Sequence, residues 1–195
     1  GMMRPQGYRK ARRVMQLAER FGFPVITLID TPGAYPGFES EEHNIGGAIA
    51  EALVSMCTLH VPIVTAIIGE GGSGGALAIG VADRVLMLEN AVYTVISPES
   101  AAVILWKEKD RMKEAADALQ LTAERLQDLG LVDEVIAEPL GGAQKDFERT
   151  AAALGAALVR HVEELSDCDP AALVEERYRH YRQVGRYRDA VSEDE

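Results

Sequence analysis

Cysteine is almost missing from this chain of 195 residues: Cys57 and Cys168 are the only two, and they lie far apart. That scarcity excludes a disulfide framework and a cysteine-based zinc site and points to a reducing compartment. Histidine is scarce as well, with four in all, which limits the ways a histidine base or a metal site could be assembled. No apolar run approaches membrane-spanning length, and no positively charged start leads into an apolar signal region, so a cytoplasmic chain that does not engage a membrane is expected. The formal net charge of −11 argues against nucleic acid as the main partner. Basic residues nonetheless bunch at the two ends, from Arg4 to Arg13 and from Arg177 to Arg188, where a solvated helix face competes with a surface for an acidic partner.

What is present suits one α/β unit with an appendage, since a chain that is 47% hydrophobic can bury one good core. Gly1 to Gly7 reads as a segment entering mid-fold, which suggests truncation. Ala11, Val14, Met15, Ala18 and Phe21 fall at helical spacing, and Gly22 closes that helix. Pro24 to Ile29 is too continuously apolar for a half-exposed strand and is expected to be buried on both faces. It runs into the proline- and glycine-rich turn Asp30 to Gly37. Glu39, Glu41 and Glu42 then precede a helix from Asn44 to Thr58 and are expected to complement its N-terminus, a metal site being the weaker reading. A second buried strand, Val61 to Ile68, is followed by short strands at Arg84–Leu88 and Ala91–Ile96. A packed apolar helix starting at Ser97 and running through Trp106 comes next. Helical pieces at 113–120 and 122–129, the second capped by Thr122, precede a short strand at 131–136. Helices at 147–165 and 171–184, broken at Asp169-Pro170, form a C-terminal arm, and Ser192 to Glu195 make an acidic tail.

The chain is organised around Ile68 to Val81, IGEGGSGGALAIGV, in which five of the first eight residues are glycine. Strand, glycine turn and helix start in that order leave main-chain N–H groups free, with no Cβ to keep a ligand away. Three chemistries match the string. Gly69, Gly71 and Gly74, with Glu89 downstream, fit a dinucleotide fingerprint, although the segment before Asp83 is too short for the usual crossover helix. Gly71, Ser73 and Gly75 fit a nucleophile elbow with Ser73 as nucleophile, although histidine partners are few. The third reading needs no side chain: backbone donors from Gly74, Gly75 or Ala76 form an oxyanion hole. A tight turn that only packs a helix on a sheet is the bland alternative.

Five stretches in this order, RPQGYRKA from Arg4, Ile29 to Gly37, Ile68 to Gly80, Val95 to Glu99 and Glu138 to Ala143, resemble the α subunit of bacterial-type acetyl-CoA carboxylase carboxyltransferase, of the crotonase superfamily. Leu129 to Val135 looks like that superfamily's element after the active site. The resemblance implies a crotonase/ClpP-like spiral of ββα-type turns, with a partial core at residues 1–143 and a C-terminal helical extension at 144–195. It implies carboxyl transfer from carboxybiotin, on a separate biotin carboxyl carrier protein, to acetyl-CoA, giving malonyl-CoA for fatty acid synthesis. Biotin carboxylase and a carboxyltransferase β subunit in an α2β2 heterotetramer are the implied partners, within an ATP-binding complex, and no metal is implied in this chain.

Carried over by position, Gly74, Gly75 and Ala76 supply the oxyanion hole, while Gly33, Ala34, Tyr35, Gly71 and Gly72 line the biotin site. A bulky residue at Gly75 is expected to abolish transfer while the protein still folds. Family members carry over a hundred residues before the point where this chain begins, so exposed edges and dependence on other chains are expected. A hydrolase using Ser73 and a non-catalytic scaffold are the competing functions.

Overall fold

A computed structural model describes residues 1–185 of the chain. The acidic tail and the end of the second basic cluster lie outside the described residues. Helix α1 (Pro5–Phe21) opens with proline in its first turn and closes on Gly22, whose left-handed φ of 69° accommodates the C-cap. It leads to β1 (Val25–Thr31), the short α2 (Phe38–Glu42) and α3 (Ile45–Thr58). Then come β2 (Ile63–Gly72), α4 (Ser73–Leu77), β3 (Arg84–Leu88) and β4 (Val92–Thr94). The rest is α5 (Pro98–Trp106), α6 (Met112–Leu119), α7 (Ala123–Asp128), β5 (Glu134–Ile136), α8 (Phe147–Ser166) and α9 (Pro170–Gln183).

All strand pairs are parallel, in the order β1-β2-β3-β5, with β4 added to the far end of β2. The ten-residue β2 has two neighbours on one side in succession: Val64–Ile67 pair with β3, and Glu70–Gly72 pair with β4. The β1–β2 register shifts between Ile29 and Thr31. A register shift next to glycines bends and re-aims the chain at the ends of the strands. The core is built on both faces of β2, from Ile63, Val64, Ala66 and Ile67, with Met15 of α1, Met56 of α3, Ala157 and Leu165 of α8 and Leu173 of α9 in the same cluster. The two C-terminal helices thus share the core of the sheet.

Several expectations need correction. β1 is not buried on both faces: it alternates, and Ile26 and Leu28 are 48% and 53% exposed in the open groove between α1 and β1. Val14 and Phe21 of α1 also stand in solvent. Only Ala101 and Ala102 of α5 are buried, while Val103, Ile104 and Leu105 are exposed. Glu39, Glu41 and Glu42 belong to α2 rather than capping α3, whose first turn is capped by the side chain of Asn44. Thr122 holds the N-cap position of α7, but its side chain makes no capping bond, unlike Ser97, which accepts the Ser100 N–H.

Candidate active site

Two turns leave the C-terminal ends of neighbouring parallel strands, the position at which open α/β sheets place their ligands. After β1, buried Thr31 folds the first turn onto itself: its hydroxyl donates to the Gly33 carbonyl at 2.8 Å and accepts the Gly33 N–H at 3.2 Å. Gly33 has φ of 150°, a conformation that side chains rarely adopt. Tyr35 N–H then donates to the Met3 carbonyl, so the start of the chain straps this turn down. The neighbouring Ala34 N–H has no acceptor among the described residues.

The second turn follows β2, which extends as strand through Gly72 before α4 begins. The two turns sit back to back. A Cβ placed on Gly72 would lie 2.2 Å from the Pro32 carbonyl oxygen, and one on Gly75 would lie 2.3 Å from the Ala34 nitrogen. A Cβ on Gly74, by contrast, would meet nothing closer than Ile49 at 3.8 Å. Glycine at 72 and 75 is therefore what lets the two backbones touch, and Gly75→Val would wedge the turns apart. The expectation that such a chain still folds unperturbed is corrected on that ground.

Helical amides bond the carbonyl four residues back, so the amides of Ser73, Gly74 and Gly75 at the start of α4 have no intrahelical acceptor. Ala76 is the first residue whose amide has one, the Gly72 carbonyl. Of the three donors anticipated in this turn, Gly74 and Gly75 lack an intrahelical acceptor, Gly75 being itself buried against the first turn, and the Ala34 nitrogen stands beside Gly75. Gly33, Ala34 and Gly72 come together at this junction, Gly71 faces Tyr93 and Val92 of β4 instead, and Tyr35 has its ring under the Arg4 guanidinium at 4.9 Å. The donors are neutral amides, which suits an anion held without any proton transfer from the protein.

The side-chain chemistries fare differently. Ser73 has a left-handed φ of 54°, as an elbow serine would, but each histidine is engaged elsewhere. His43 bonds the Glu39 carbonyl, His60 bonds Glu19, His161 bonds Glu134 and His180 packs edge-on against Tyr181. The five-residue α4 is too short for a dinucleotide crossover, and Glu89 accepts the Glu138 N–H instead of facing the glycines. No cluster of potential metal ligands occurs among the described residues. A cavity of about 350 Å³ lies away from the glycine turns, between α1 and β1, lined by Val14, Ile26 and Leu28 among others.

Tyr8 escaped the sequence reading. Its hydroxyl, fully buried, reaches the Gly75 carbonyl at 3.3 Å. Its spacing from Ala11 and Met15 on one face of α1 was the available signal, but nothing local says what a buried phenol bonds.

The architecture is the crotonase-like α/β fold. The chain superposes over its whole length on the 12S transcarboxylase core with methylmalonyl-coenzyme A and methylmalonic acid bound, at a TM-score of 0.73 and 20% identity, covering 34% of that chain. Against the Pseudomonas malonate decarboxylase MdcD-MdcE hetero-dimer the TM-score is 0.67 at 18% identity, over 94% of this chain and 77% of that one. These likenesses concern fold alone. Sequence goes further: residues 1–185 match the model of the acetyl co-enzyme A carboxylase carboxyltransferase-like family, and the chain belongs to that family. The acetyl-coenzyme A carboxylase carboxyl transferase subunit alpha of Coxiella burnetii is 56% identical over 186 residues, 95% of this chain and 59% of that protein. Its counterpart in Thermus thermophilus is 54% identical over 187 residues, 96% of this chain and 60% of the relative. The chain therefore spans about 60% of the length of the curated relatives it matches.

Proposed function

We propose that this chain is the biotin-facing part of a carboxyltransferase that moves a carboxyl group from carboxybiotin to acetyl-CoA, giving malonyl-CoA, the first committed step of fatty acid synthesis. The observation that carries this reading is the back-to-back pair of glycine turns presenting the Ala34, Gly74 and Gly75 amides, in a chain of the carboxyltransferase family. The junction fits the group: it offers neutral N–H donors that give up no proton in the reaction, and the two backbones that carry them approach this closely only because positions 72 and 75 have no Cβ.

Carboxybiotin, brought by a biotin carboxyl carrier protein, supplies the carboxyl group. This chain's amides aim at the oxygen on which negative charge grows and stabilise it more in the transition state than in the ground state. One such donor is typically worth about 2.7–4 kcal/mol of transition-state stabilisation. The turns follow directly from strand ends, and the Thr31 hydroxyl fixes the first of them at Gly33, so its amides need little reorganisation at the moment of reaction. Ala76 lies behind this front, its amide turned back into α4, and in this reading it supports the turn. In this reading a β subunit supplies the acetyl-CoA site, biotin carboxylase recharges the carrier, and the assembly works in the cytoplasm. Residues 1–143 form the working core and the helices after it brace that core.

The test is the reverse half-reaction. Malonyl-CoA decarboxylation in the presence of biotin should require this chain together with a carboxyltransferase β subunit. Equal rates with the β subunit alone would reduce the chain to a scaffold. Labelling of Ser73 by a serine-directed probe, lost in Ser73→Ala, would instead favour a hydrolase.

A further inference from the structure

The two turns are held in place by different means. Thr31 organises the first locally. The second, with Gly74 and Gly75 adjacent, has no side chain of its own to fix its backbone, and glycine pairs are the least restrained links in a chain. Inside α4 the carbonyl of Gly74 accepts from Ala78 and that of Ala76 accepts from Ile79. The carbonyl of Gly75, between them, receives neither bond. Its donor is the hydroxyl of Tyr8, 67 residues away on α1. That hydroxyl has no other partner among the described residues, and the ring is enclosed in a small cluster that also holds Ala34, Ile49 and Ala78. One side chain therefore packs with the first turn and bonds the second.

We propose that Tyr8 is a positioning residue of the amide cradle: by holding the Gly75 carbonyl from within the cluster that contains Ala34, it fixes the glycine turn in register with the opposite wall. A peptide unit is planar, so restraining the carbonyl fixes the Gly75–Ala76 plane and limits rotation about the Gly75 Cα, which carries the donor amide on its other side. At 3.3 Å the contact is longer than most hydroxyl–carbonyl bonds, so the packed ring sets the position and the hydroxyl sets the direction. Burial raises the Tyr8 phenol to about 12, which keeps it a protonated donor throughout any assay range. The consequence for turnover rests on the carboxyl-transfer reading above; the mechanical role does not.

The experiment pairs two readouts on Tyr8→Phe, made in this chain assembled with a carboxyltransferase β subunit. Removing the hydroxyl while keeping the ring should lower kcat for biotin-dependent malonyl-CoA decarboxylation about tenfold per folded assembly, since small displacements of positioned groups weaken catalysis strongly. KM for malonyl-CoA should stay unchanged, because this chain's cradle faces the other substrate. Hydrogen exchange at the Ala78 and Ile79 amides, whose bonds to the Gly74 and Ala76 carbonyls span Gly75, should quicken about tenfold as the turn loosens. Unchanged exchange would overturn the proposal, as would faster exchange with kcat unaltered. A Tyr8→Phe chain that fails to fold, or that loses activity only in proportion to its folded fraction, would assign Tyr8 to stability and overturn it too. If the unsubstituted assembly showed no biotin-dependent turnover, the carboxyl-transfer reading would fall while amide exchange still decided the role of Tyr8.

Discussion

Neighbouring glycines in one turn do different jobs, and the distances to their missing side chains say which. Gly72 and Gly75 each face backbone less than 2.5 Å from where a Cβ would sit, and backbone cannot rotate out of the way as a side-chain tip can. Gly75→Ala is therefore expected to destabilise the chain by about 1–3 kcal/mol, the usual range for overpacking. Gly74 is a helical residue with room for a methyl group, its nearest contact being Ile49 at 3.8 Å. Gly74→Ala should keep or raise stability by up to about 1 kcal/mol, because alanine loses less backbone entropy in a helix. Thermal melts of the two single variants check this, and equal melting temperatures would contradict the back-to-back arrangement. The glycine pattern was readable in advance as a place where backbone meets something. Which glycines meet ligand and which meet backbone was not, because that depends on Pro32 and Ala34, some forty residues away in sequence and adjacent in space.

Arg177 shows the same limit at the scale of elements. In the sequence it belongs to a charged C-terminal helix whose cations read as solvated, yet Leu173, Arg177 and Tyr181, at i, i+4 and i+8, form the inward face of α9. The guanidinium is buried, bonded to both carboxylate oxygens of Asp83 at 2.8 Å and to the carbonyls of Met56, Leu59 and Val61. Asp83 in turn accepts the Ile63 N–H at the head of β2. One side chain thus ties α9 to the end of α3 and the start of the central strand. Arg177→Ala leaves a buried carboxylate and three carbonyls without this partner and should destabilise the chain by about 3–5 kcal/mol in urea denaturation. A loss below about 1 kcal/mol would mean that α9 is not docked as described.

A second tie between elements responds to pH. Burial alone would raise the Glu138 carboxyl, but the N–H groups of Asn90 and Ala143, donating at 2.9 and 2.6 Å, outweigh it and hold the group below its ordinary 4.5. A carboxyl depressed by folding contributes stability above its unfolded pKa and loses it as pH falls through the folded value. The melting temperature should accordingly fall as the pH drops below about 4.5, and Glu138→Gln should flatten part of that decline. An unchanged acid limb in the variant would show that the loop contact carries none of the linkage.

At the scale of the whole molecule, element order was legible because glycines, prolines and apolar runs punctuate the chain, whereas exposure was not, because it depends on what lies beside a strand. β1 makes the point: its apolar run reads as a doubly buried strand, yet it ends the sheet of the described residues with Ile26 and Leu28 half exposed across a groove from Val14. An open strand edge with an apolar flank is a template for association with another chain, and a charge pointing outward from it is how sheet proteins suppress such pairing. The double variant Ile26→Lys, Leu28→Lys should therefore shift the isolated chain toward monomer in sedimentation while moving its melting temperature by only a few degrees, since substitutions on exposed positions usually change stability by less than about 0.5 kcal/mol. Loss of the cooperative melt in that variant would mean that this flank is core in the folded chain. An unaltered sedimentation profile would mean that association, where it occurs, uses another surface, with the exposed Val103, Ile104 and Leu105 of α5 the next to be charged.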